Sequence, residues 1–460
     1  MGKIAAAPGM TEYRVVLVLP ESHGVLALRS AGSYRLPCVR IPSICRPAQQ
    51  LQKAIQAMWG VRAFILDTCA KSDCTSCCAV AELLSPRISS DLEEVSLDQI
   101  MSSDLTSDER CECELRLDSE STSPMARLGW IDEALSWVVS ATGQRIQTKN
   151  EIEQMNGRGA FTLVRFQTEG GDYWLKATGE PNAHELPVTA SLSGMCGEYL
   201  PEFVDSRPEW NAWLMSGQAA AISELPSEPL GLFNLLNDAI ESMAELQMRT
   251  VGREQDLLEA GAFDQSLQAL AAHSGEMFAF VEEAMILQTS TRAHRIEKSR
   301  LREITEIFET ICERLEVLDL PNTVVHGDMN PGNILTKSGQ CKFIDWSEAY
   351  VGNPLITFEH LLLFNQGTPS GYRESNAHKL KERYKAKMSK ICDPQAIDEC
   401  LLYSPVLAAY SALYGRGGWL STPIRNDPRR QAYVRNLARH IDLAARDPQL
   451  LDALGVSVRA

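Results

Sequence analysis

The feature that most constrains the fold of this chain is a polar loop, residues 326–333 (HGDMNPGN), followed at residues 344–346 by the tripeptide IDW. β-Branched residues at 323–325 predict a strand that enters the loop, and residues 334–335 predict a strand that leaves it. A tight turn then returns the chain as a predicted strand over residues 341–344. Because such a hairpin brings its far end back beside the loop, polar side chains from both segments are expected to meet.

Three side chains in these segments carry oxygen atoms at a spacing that suits phosphoryl transfer: Asp328, Asn333 five residues later, and Asp345 twelve residues after that. In this chemistry one carboxylate accepts the proton of an attacking hydroxyl group. An amide and a second carboxylate hold the magnesium ion that bridges the nucleotide phosphates. The alternative is that a stretch rich in Gly, Asn and Asp only forms turns. Several residue types at fixed spacing between predicted strands favour a functional site.

The motif resembles that of the aminoglycoside phosphotransferase and choline kinase-like family, whose signature is H-G-D-x4-N followed by I-D-W. The resemblance spans roughly residues 126–440 and implies that Asp328 is the catalytic base. It also implies that Asn333 and Asp345 bind Mg²⁺ and that His326 braces the loop. The resemblance further implies that ATP is the phosphoryl donor and that a hydroxyl group of a small molecule is the acceptor. The fold that it implies is α+β, bilobal and protein kinase-like, with a small antiparallel β lobe and a large helical lobe.

The predicted small lobe, residues 125–216, is an antiparallel meander with two features that the resemblance places near the nucleotide. Lys176 ends an apolar strand where a kinase has its phosphate-binding lysine, and Glu185 starts a helix from which it can pair with Lys176. Gly157 and Gly159 are predicted to lie in a turn over the phosphates, because glycine lets backbone N–H groups approach a nucleotide. An ordinary hairpin and a solvated lysine at a strand end are the structural alternatives.

The predicted large lobe, residues 217–460, is mostly helical and includes one long predicted helix over residues 266–286. In the resembled family this helical region shapes the acceptor pocket. The candidates for such contacts are His360, Glu348, Tyr410 and Trp419. Residues of these types lie more often in a core or on a surface than against a substrate.

The first region, residues 1–124, resembles a Nudix domain in its order of predicted elements, in Leu-Pro at residues 36–37 and in Gly60. Aligned on Gly60, the positions of that family's metal-binding Arg-Glu and Glu-Glu pairs hold Lys-Ala at 53–54 and Ala-Met at 57–58. Because Mg²⁺ requires oxygen ligands, hydrolase activity is not expected here. We therefore expect a small, degenerate α/β Nudix-like accessory domain that mediates protein contacts.

Composition limits the partners of the chain. The formal net charge of −16 and the acidic pI of about 5.1 argue against nucleic acid as a partner and are compatible with a cationic acceptor. The sequence contains no apolar run of about 18 residues, so no membrane span is predicted. The first residues lack the apolar core of a secretory signal. A cytoplasmic enzyme is the resulting expectation.

The 13 cysteines of the chain are predicted to be reduced thiols rather than a disulfide framework. Cys69, Cys74 and Cys77 share the spacing of plant-type iron–sulfur ligands. Cys77 and Cys78, however, lie in a predicted strand, where neighbouring side chains point to opposite faces. Buried and loop thiols are therefore favoured over a metal site, which stays open as an alternative.

Two other functions are weighed against a small-molecule kinase. A catalytically idle, kinase-like binding protein is one, although the intact motif favours an enzyme. A protein kinase is disfavoured because Gly327 stands where the catalytic-loop Arg is usual, and because Trp346 and Ser347 follow Asp345 in place of Phe-Gly. The acceptor itself is open: an aminoglycoside, a macrolide, an amino alcohol, a sugar or a hydroxy acid would fit.

Overall fold

The structure is a computed structural model that describes residues 9–30, 32–43, 46–69, 76–84, 91–117, 123–146, 152–158, 161–217, 229–337, 339–362 and 370–455. The chain divides into two compact units. One comprises Met1–Leu186 with Glu202–Gln218, and the other comprises Pro187–Pro201 with Ala219–Ala460. Within the described ranges, no helix is both long enough and apolar enough to cross a membrane.

The first unit begins with a mixed β-sheet and three helices. The elements are β1 (Met10–Val18), β2 (Val25–Ser30), β3 (Ser33–Arg35), β4 (Cys38–Pro42), α1 (Pro47–Trp59), β5 (Ala63–Cys69), β6 (Ser76–Leu83), β7 (Glu93–Val95), α2 (Ser107–Leu117) and α3 (Trp130–Thr142). The strand order is β3–β2–β1–β6–β5, with β4 also paired to β1 and β7 to β2. β1 and β6 are parallel, and the other pairs are antiparallel.

Alternation along β1 gives this sheet two apolar faces. Val15 and Leu17 belong to a core with residues of α1 such as Leu51. Val16 belongs to a second core with residues of α3 such as Trp130. A helix therefore covers each face of the sheet. The two helices pack on opposite faces because apolar residues of β1 point alternately to one face and the other.

The same unit contains an antiparallel sheet in the order β11–β12–β10–β9–β8. Its strands are β8 (Ile152–Arg158), β9 (Phe161–Thr168), β10 (Gly171–Thr178), β11 (Glu202–Arg207) and β12 (Ala212–Ser216). α4 (Glu185–Cys196) follows β10 along the chain, and from Pro187 onward it belongs to the second unit. Phe166 and Leu175 of this sheet are fully buried in the core that also contains Trp130 and Val16. The two sheets of the unit thus share one hydrophobic core. The predicted domain boundary near residue 124 stays a prediction.

Gln154 joins the two sheets by hydrogen bonds. Its buried side chain accepts from the Ile65 N–H at 2.8 Å and donates to the Ile65 carbonyl oxygen at 2.7 Å. Gly157 lies beside this contact, where a Cβ atom would come within 2.2 Å of Gln154 Nε2 and 2.7 Å of the Ile65 oxygen. The predicted turn at 156–159 is therefore wrong at its start. β8 continues through Arg158, because Gly157 pairs with Thr162 of β9 and packs closely against β5.

The second unit is mainly helical. Its elements are α5 (Pro229–Thr250), α6 (Glu254–Glu259), β13 (Phe263–Gln265), α7 (Leu267–Ala272), α8 (Ser274–Ile286), α9 (Lys298–Val317), β14 (Thr323–Val325), β15 (Ile334–Lys337), β16 (Gln340–Phe343), β17 (Tyr350–Gly352), α10 (Leu355–Leu362), α11 (Ser370–Met388), α12 (Pro394–Tyr414), α13 (Thr422–Asn426), α14 (Pro428–Ala444) and α15 (Pro448–Ala453). β13, β17 and β14 form a small sheet in that order, and β15 and β16 form a hairpin.

The single helix predicted over residues 266–286 is two helices in the structure, α7 and α8. The chain leaves helical geometry at His273, with φ −109° and ψ 8°. Ser274 begins α8 and donates from its hydroxyl to Glu309 Oε1 at 2.8 Å. Apolar periodicity continues through the break, so it could not reveal that the helix is interrupted.

Candidate active site

The hairpin β15–β16 brings the two motif segments together. Ile334 at its start is opposite Phe343 at its end. One step beyond this pair, the Ile344 N–H donates to the Asn333 carbonyl oxygen at 3.0 Å. Asn333 and Asp345 therefore lie at the same end of the hairpin. The strand–loop–hairpin arrangement predicted from the sequence is present.

The carboxylate of Asp328 is oriented by two amide groups of its own loop. Asn330 Nδ2 donates to Asp328 Oδ2 at 3.0 Å. Asn333 Nδ2 donates to the same oxygen at 3.2 Å and to the Asp328 main-chain oxygen at 2.8 Å. Asn333 is buried, whereas Asp328 is exposed. Both side-chain bonds therefore involve Asp328 Oδ2, and the other carboxylate oxygen, Oδ1, takes no part in them.

The residues before Asp328 fix the loop against the second segment. His326 is fully buried, its Nε2 donates to the Ile344 carbonyl oxygen at 2.9 Å, and its ring lies 4.5 Å from that of Trp346. Gly327 has φ +78°, and a Cβ atom there would be 2.1 Å from the Glu348 carbonyl oxygen. Glycine is required on both counts. These contacts agree with the predicted bracing role of His326.

Asp345 has an unusual backbone conformation for a non-glycine residue, with φ 68° and ψ 64°. Such geometry persists only where the surroundings enforce it, and it is concentrated at functional sites. A 3₁₀ turn, Trp346–Glu348, follows at once, and Ser347 Oγ donates to Asp345 Oδ1 at 3.2 Å. The carboxylate of Asp345 is thus positioned by both the hairpin and the turn.

Asp345, Asn333 and Asp328 supply two carboxylates and one amide, all oxygen donors. Mg²⁺ is commonly held by one or two carboxylates together with water and substrate phosphates, so this set fits the ion. No cluster of three or more His, Cys, Asp and Glu side chains suited to a metal occurs in the described part of the chain. The set described above is not a cluster of that kind, because one of its three members is an asparagine. Within this set, Asn333 and Asp345 are the residues that could hold Mg²⁺.

Lys176 and Glu185 form a buried ion pair in the first unit. Lys176 Nζ lies 2.5 Å from Glu185 Oε1, and the two side chains are 7% and 1% exposed. The ammonium group also lies 5.2 Å from the Phe161 ring centroid and 5.6 Å from that of Trp213. Lys176 pairs with Leu163 of β9 and Trp213 of β12, and β10 continues to Thr178, so the strand does not end at Lys176 as predicted. Glu185 is the first residue of α4. The predicted pairing of Lys176 with Glu185 is present.

The predicted glycine turn has a different environment from the one expected. Gly157 lies in β8, and the space for its side chain is occupied by Gln154 and Ile65. Close packing between the two sheets is sufficient to explain glycine at this position. Its contact with the nucleotide phosphates stays a prediction. Gly159 lies outside the residues that the structure describes.

The four acceptor-pocket candidates have different environments. Tyr410 and Trp419 are fully buried, and Tyr410 stacks on Phe308 at 3.8 Å, so both are core residues. Glu348 pairs with Arg416. His360 differs from these, because its Nδ1 atom is buried and has no hydrogen-bond partner among the residues that the structure describes.

Burial, together with the nearby His326 ring, lowers the pKa of His360 to about 4, and the opposing influence of Asp328 is smaller. His360 is therefore a neutral imidazole beside the motif at physiological pH.

Among the described cysteines, Cys77 and Cys78 belong to cores on opposite faces of their sheet, as predicted. Cys74 lies outside the described residues.

Residues 199–388 match the Phosphotransferase enzyme family, so the resemblance predicted from residues 326–346 is confirmed. With the family match, the fold class predicted from the sequence, α+β and protein kinase-like, is confirmed as well. The family indicates a kinase that acts on small molecules. The sequence matches no curated protein.

Solved structures similar to this chain include three small-molecule kinases. A choline/ethanolamine kinase family protein from Mesorhizobium loti has 15% identity and a TM-score of 0.45, with 71% of this chain and 98% of that chain covered. The macrolide 2′-phosphotransferase MphH from Brachybacterium faecium has 15% identity and a TM-score of 0.42, with 69% and 98% covered. An ethanolamine kinase from Plasmodium vivax has 16% identity and a TM-score of 0.40, with 66% and 84% covered.

Proposed function

We propose that this chain transfers the γ-phosphoryl group of ATP to a hydroxyl group of a small molecule, with Asp328 as the base. The proposal is supported by the hydrogen bond from Asn333 to Asp328 and by the position of Asn333 and Asp345 at the same end of the β15–β16 hairpin. The amides of Asn330 and Asn333 hold one oxygen of the Asp328 carboxylate. The other oxygen, Oδ1, accepts the proton of the attacking hydroxyl.

Asp328 contributes by orienting the acceptor hydroxyl as well as by taking its proton. The transition state of phosphoryl transfer is loose, so positioning and charge compensation provide most of the acceleration. Mg²⁺, when bound, would compensate charge on the nucleotide phosphates, and Asn333 and Asp345 would hold it. From the resemblance we also propose that Lys176, paired with Glu185, binds a nucleotide phosphate.

The test is phosphoryl transfer from labelled ATP to a panel of hydroxylated compounds, including aminoglycosides, macrolides, amino alcohols and sugars. For an acceptor that is consumed, Asp328→Asn should lower kcat by about 10²–10⁴-fold, the usual contribution of a general base. Asparagine is nearly the same size and can still accept hydrogen bonds from Asn330 and Asn333, so the variant should unfold at the temperature of the parent protein. Full turnover by Asp328→Asn would refute the assignment of the base.

A second candidate function is a kinase-like protein that binds nucleotide without transferring phosphate. The intact set Asp328, Asn333 and Asp345 favours an enzyme. The two functions differ in one measurement: the binding protein would be stabilised by Mg²⁺ and a non-hydrolysable ATP analogue, yet it would consume no ATP with any acceptor of the panel.

A further inference from the structure

We propose that Arg416 is a positioning residue for this reaction, because it holds the turn after Asp345 against the loop that carries Asp328. The inference rests on the proposed function and concerns a residue outside the motif. Arg416 follows α12 in a glycine-rich loop, residues 415–418. Its role is separate from that of Asp328, since its contacts are with the segment beside the site.

The guanidinium group of Arg416 donates hydrogen bonds to two consecutive residues, Ser347 and Glu348. Nε donates to Glu348 Oε2 at 2.8 Å, and Nη2 donates to Glu348 Oε1 at 2.5 Å and to the Ser347 carbonyl oxygen at 2.8 Å. The group also lies 5.4 Å from the Phe263 ring centroid. A planar fork that bonds both carboxylate oxygens fixes orientation in a way that a lysine cannot.

The two residues held by Arg416 contact both parts of the motif. Ser347 donates to the carboxylate of Asp345. The Glu348 carbonyl oxygen occupies the space in which a side chain at residue 327 would lie, next to Asp328. The Arg416 side chain therefore restrains the turn that follows the left-handed residue Asp345. It also restrains the Glu348 backbone against which the Asp328 loop packs.

Arg416 is itself held in place by its loop. The Gly415 carbonyl oxygen accepts from Gln265 Nε2 of β13 at 2.8 Å. β13 pairs with β17, which follows the turn of Ser347 and Glu348 along the chain, and β17 pairs with β14, which leads into the Asp328 loop. The loop of Arg416 and both motif segments are thus attached to the same small sheet.

The chain offers a matched control in Arg425. Its Nη2 lies 2.6 Å from both carboxylate oxygens of Glu283, and its guanidinium lies 5.2 Å from the Phe280 ring centroid. Side-chain exposure is 29% and 55% for Arg425 and Glu283, against 21% and 42% for Arg416 and Glu348. Both arginines thus bond both carboxylate oxygens of a glutamate and lie near an aromatic ring, but Glu283 belongs to α8 rather than to the motif.

The kinetic experiment compares Arg416→Ala, Arg416→Lys, Arg425→Ala and Arg425→Lys with the parent chain. Loss of a residue that orients a site typically lowers activity by about 10–100-fold. We expect such a fall in kcat for Arg416→Ala and a smaller fall for Arg416→Lys. We also expect a higher Mg²⁺ concentration for half-maximal rate and little change in the KM of the acceptor. Arg425→Ala should lower Tm about as much as Arg416→Ala does and keep the parental kcat.

Amide hydrogen exchange provides a readout that does not depend on turnover. In Arg416→Ala, the amides of residues 344–349 should exchange about tenfold faster or more, whereas Arg425→Ala should leave them unchanged. Unchanged exchange in Arg416→Ala would overturn the proposal, as would faster exchange with an unchanged kcat. If the parent chain phosphorylates no acceptor, the proposed function fails, and the exchange result still shows whether Arg416 holds the turn. Arg416→Lys serves if Arg416→Ala does not fold.

Discussion

Asn333 Nδ2 donates to both the main-chain oxygen and the carboxylate of Asp328, at 2.8 and 3.2 Å. The residue proposed to hold Mg²⁺ therefore also sets the orientation of the proposed base. Because the amide nitrogen makes both bonds, the amide oxygen of Asn333 stays available as a metal ligand. This division of one side chain into two roles explains why an aspartate, which has no donor, would not replace Asn333.

Replacement of Asn333 should affect turnover more than replacement of Asn330. Asn333→Ala removes the bonds to Asp328 and a proposed Mg²⁺ ligand, so kcat should fall at least about 10²-fold. Asn330→Ala removes one bond to Asp328 and the bond from the Gly332 N–H, and should cost about tenfold or less. Steady-state kinetics at saturating and limiting Mg²⁺ measure both effects. Equal losses in the two variants would contradict the proposed metal role of Asn333.

Gly327→Ala should destabilise the protein by at least about 3 kcal/mol. The added Cβ would lie 2.1 Å from the Glu348 carbonyl oxygen, and φ is +78°, so backbone strain and a clash with backbone combine. The control is Gly252→Ala, where φ is +74° and nothing lies within 4 Å of the added atom. That variant should lose only about 1 kcal/mol. Urea unfolding of the two variants measures the difference, and equal losses would show that the loop yields to the clash.

The Lys176–Glu185 pair can be tested for stability and function separately. Lys176→Met leaves the Glu185 carboxylate buried without its cation, which typically costs about 3–5 kcal/mol. The double variant Lys176→Met, Glu185→Leu should recover most of that free energy of unfolding, because no charge is left buried. Turnover with ATP should stay low in both variants. Recovery of turnover in the double variant would show that the lysine acts only in folding.

His360 should make the stability of the second unit depend on pH between about 4 and 6.5. Its pKa in the folded protein is lowered to about 4 from a usual value of 6.5. The unfolded chain therefore binds more protons in this window, and stability falls as pH falls from 6.5 toward 4. The loss is on the order of 1–3 kcal/mol. In His360→Gln the slope of Tm against pH should decrease, and an unchanged slope would contradict the prediction.

The motif could be predicted because its geometry is local in sequence. Asp328, Asn333 and Asp345 lie on one strand–loop–hairpin segment, so strand propensity and turn residues were enough to bring them together. Arg416 and Glu348 are 68 residues apart, and no local pattern links a glycine-rich loop after α12 to the turn after Asp345. The burial of the His360 Nδ1 atom depends likewise on tertiary packing. For Asn330, the Asn-Pro dipeptide was a usable turn indication.

Gly157 shows why local rules can fail within a strand. Two glycines flanking Arg158 predict a turn at residues 156–159. In the structure, pairing with β9 and the approach of β5 keep Gly157 extended. The glycine meets a requirement for space rather than one for a turn. Single-sequence patterns do not distinguish these two requirements.

The bonds between Gln154 and Ile65 have a practical consequence for any shortened version of this protein. A fragment starting at residue 125 would lose β5 and, with it, both partners of the buried Gln154 amide. The same cut would remove Val16 and Phe64 from the hydrophobic core that contains Phe166 and Leu175. Apolar surface of these residues would then be exposed to water. We expect such a fragment to aggregate on expression, so biochemical work on the motif should keep the entire chain.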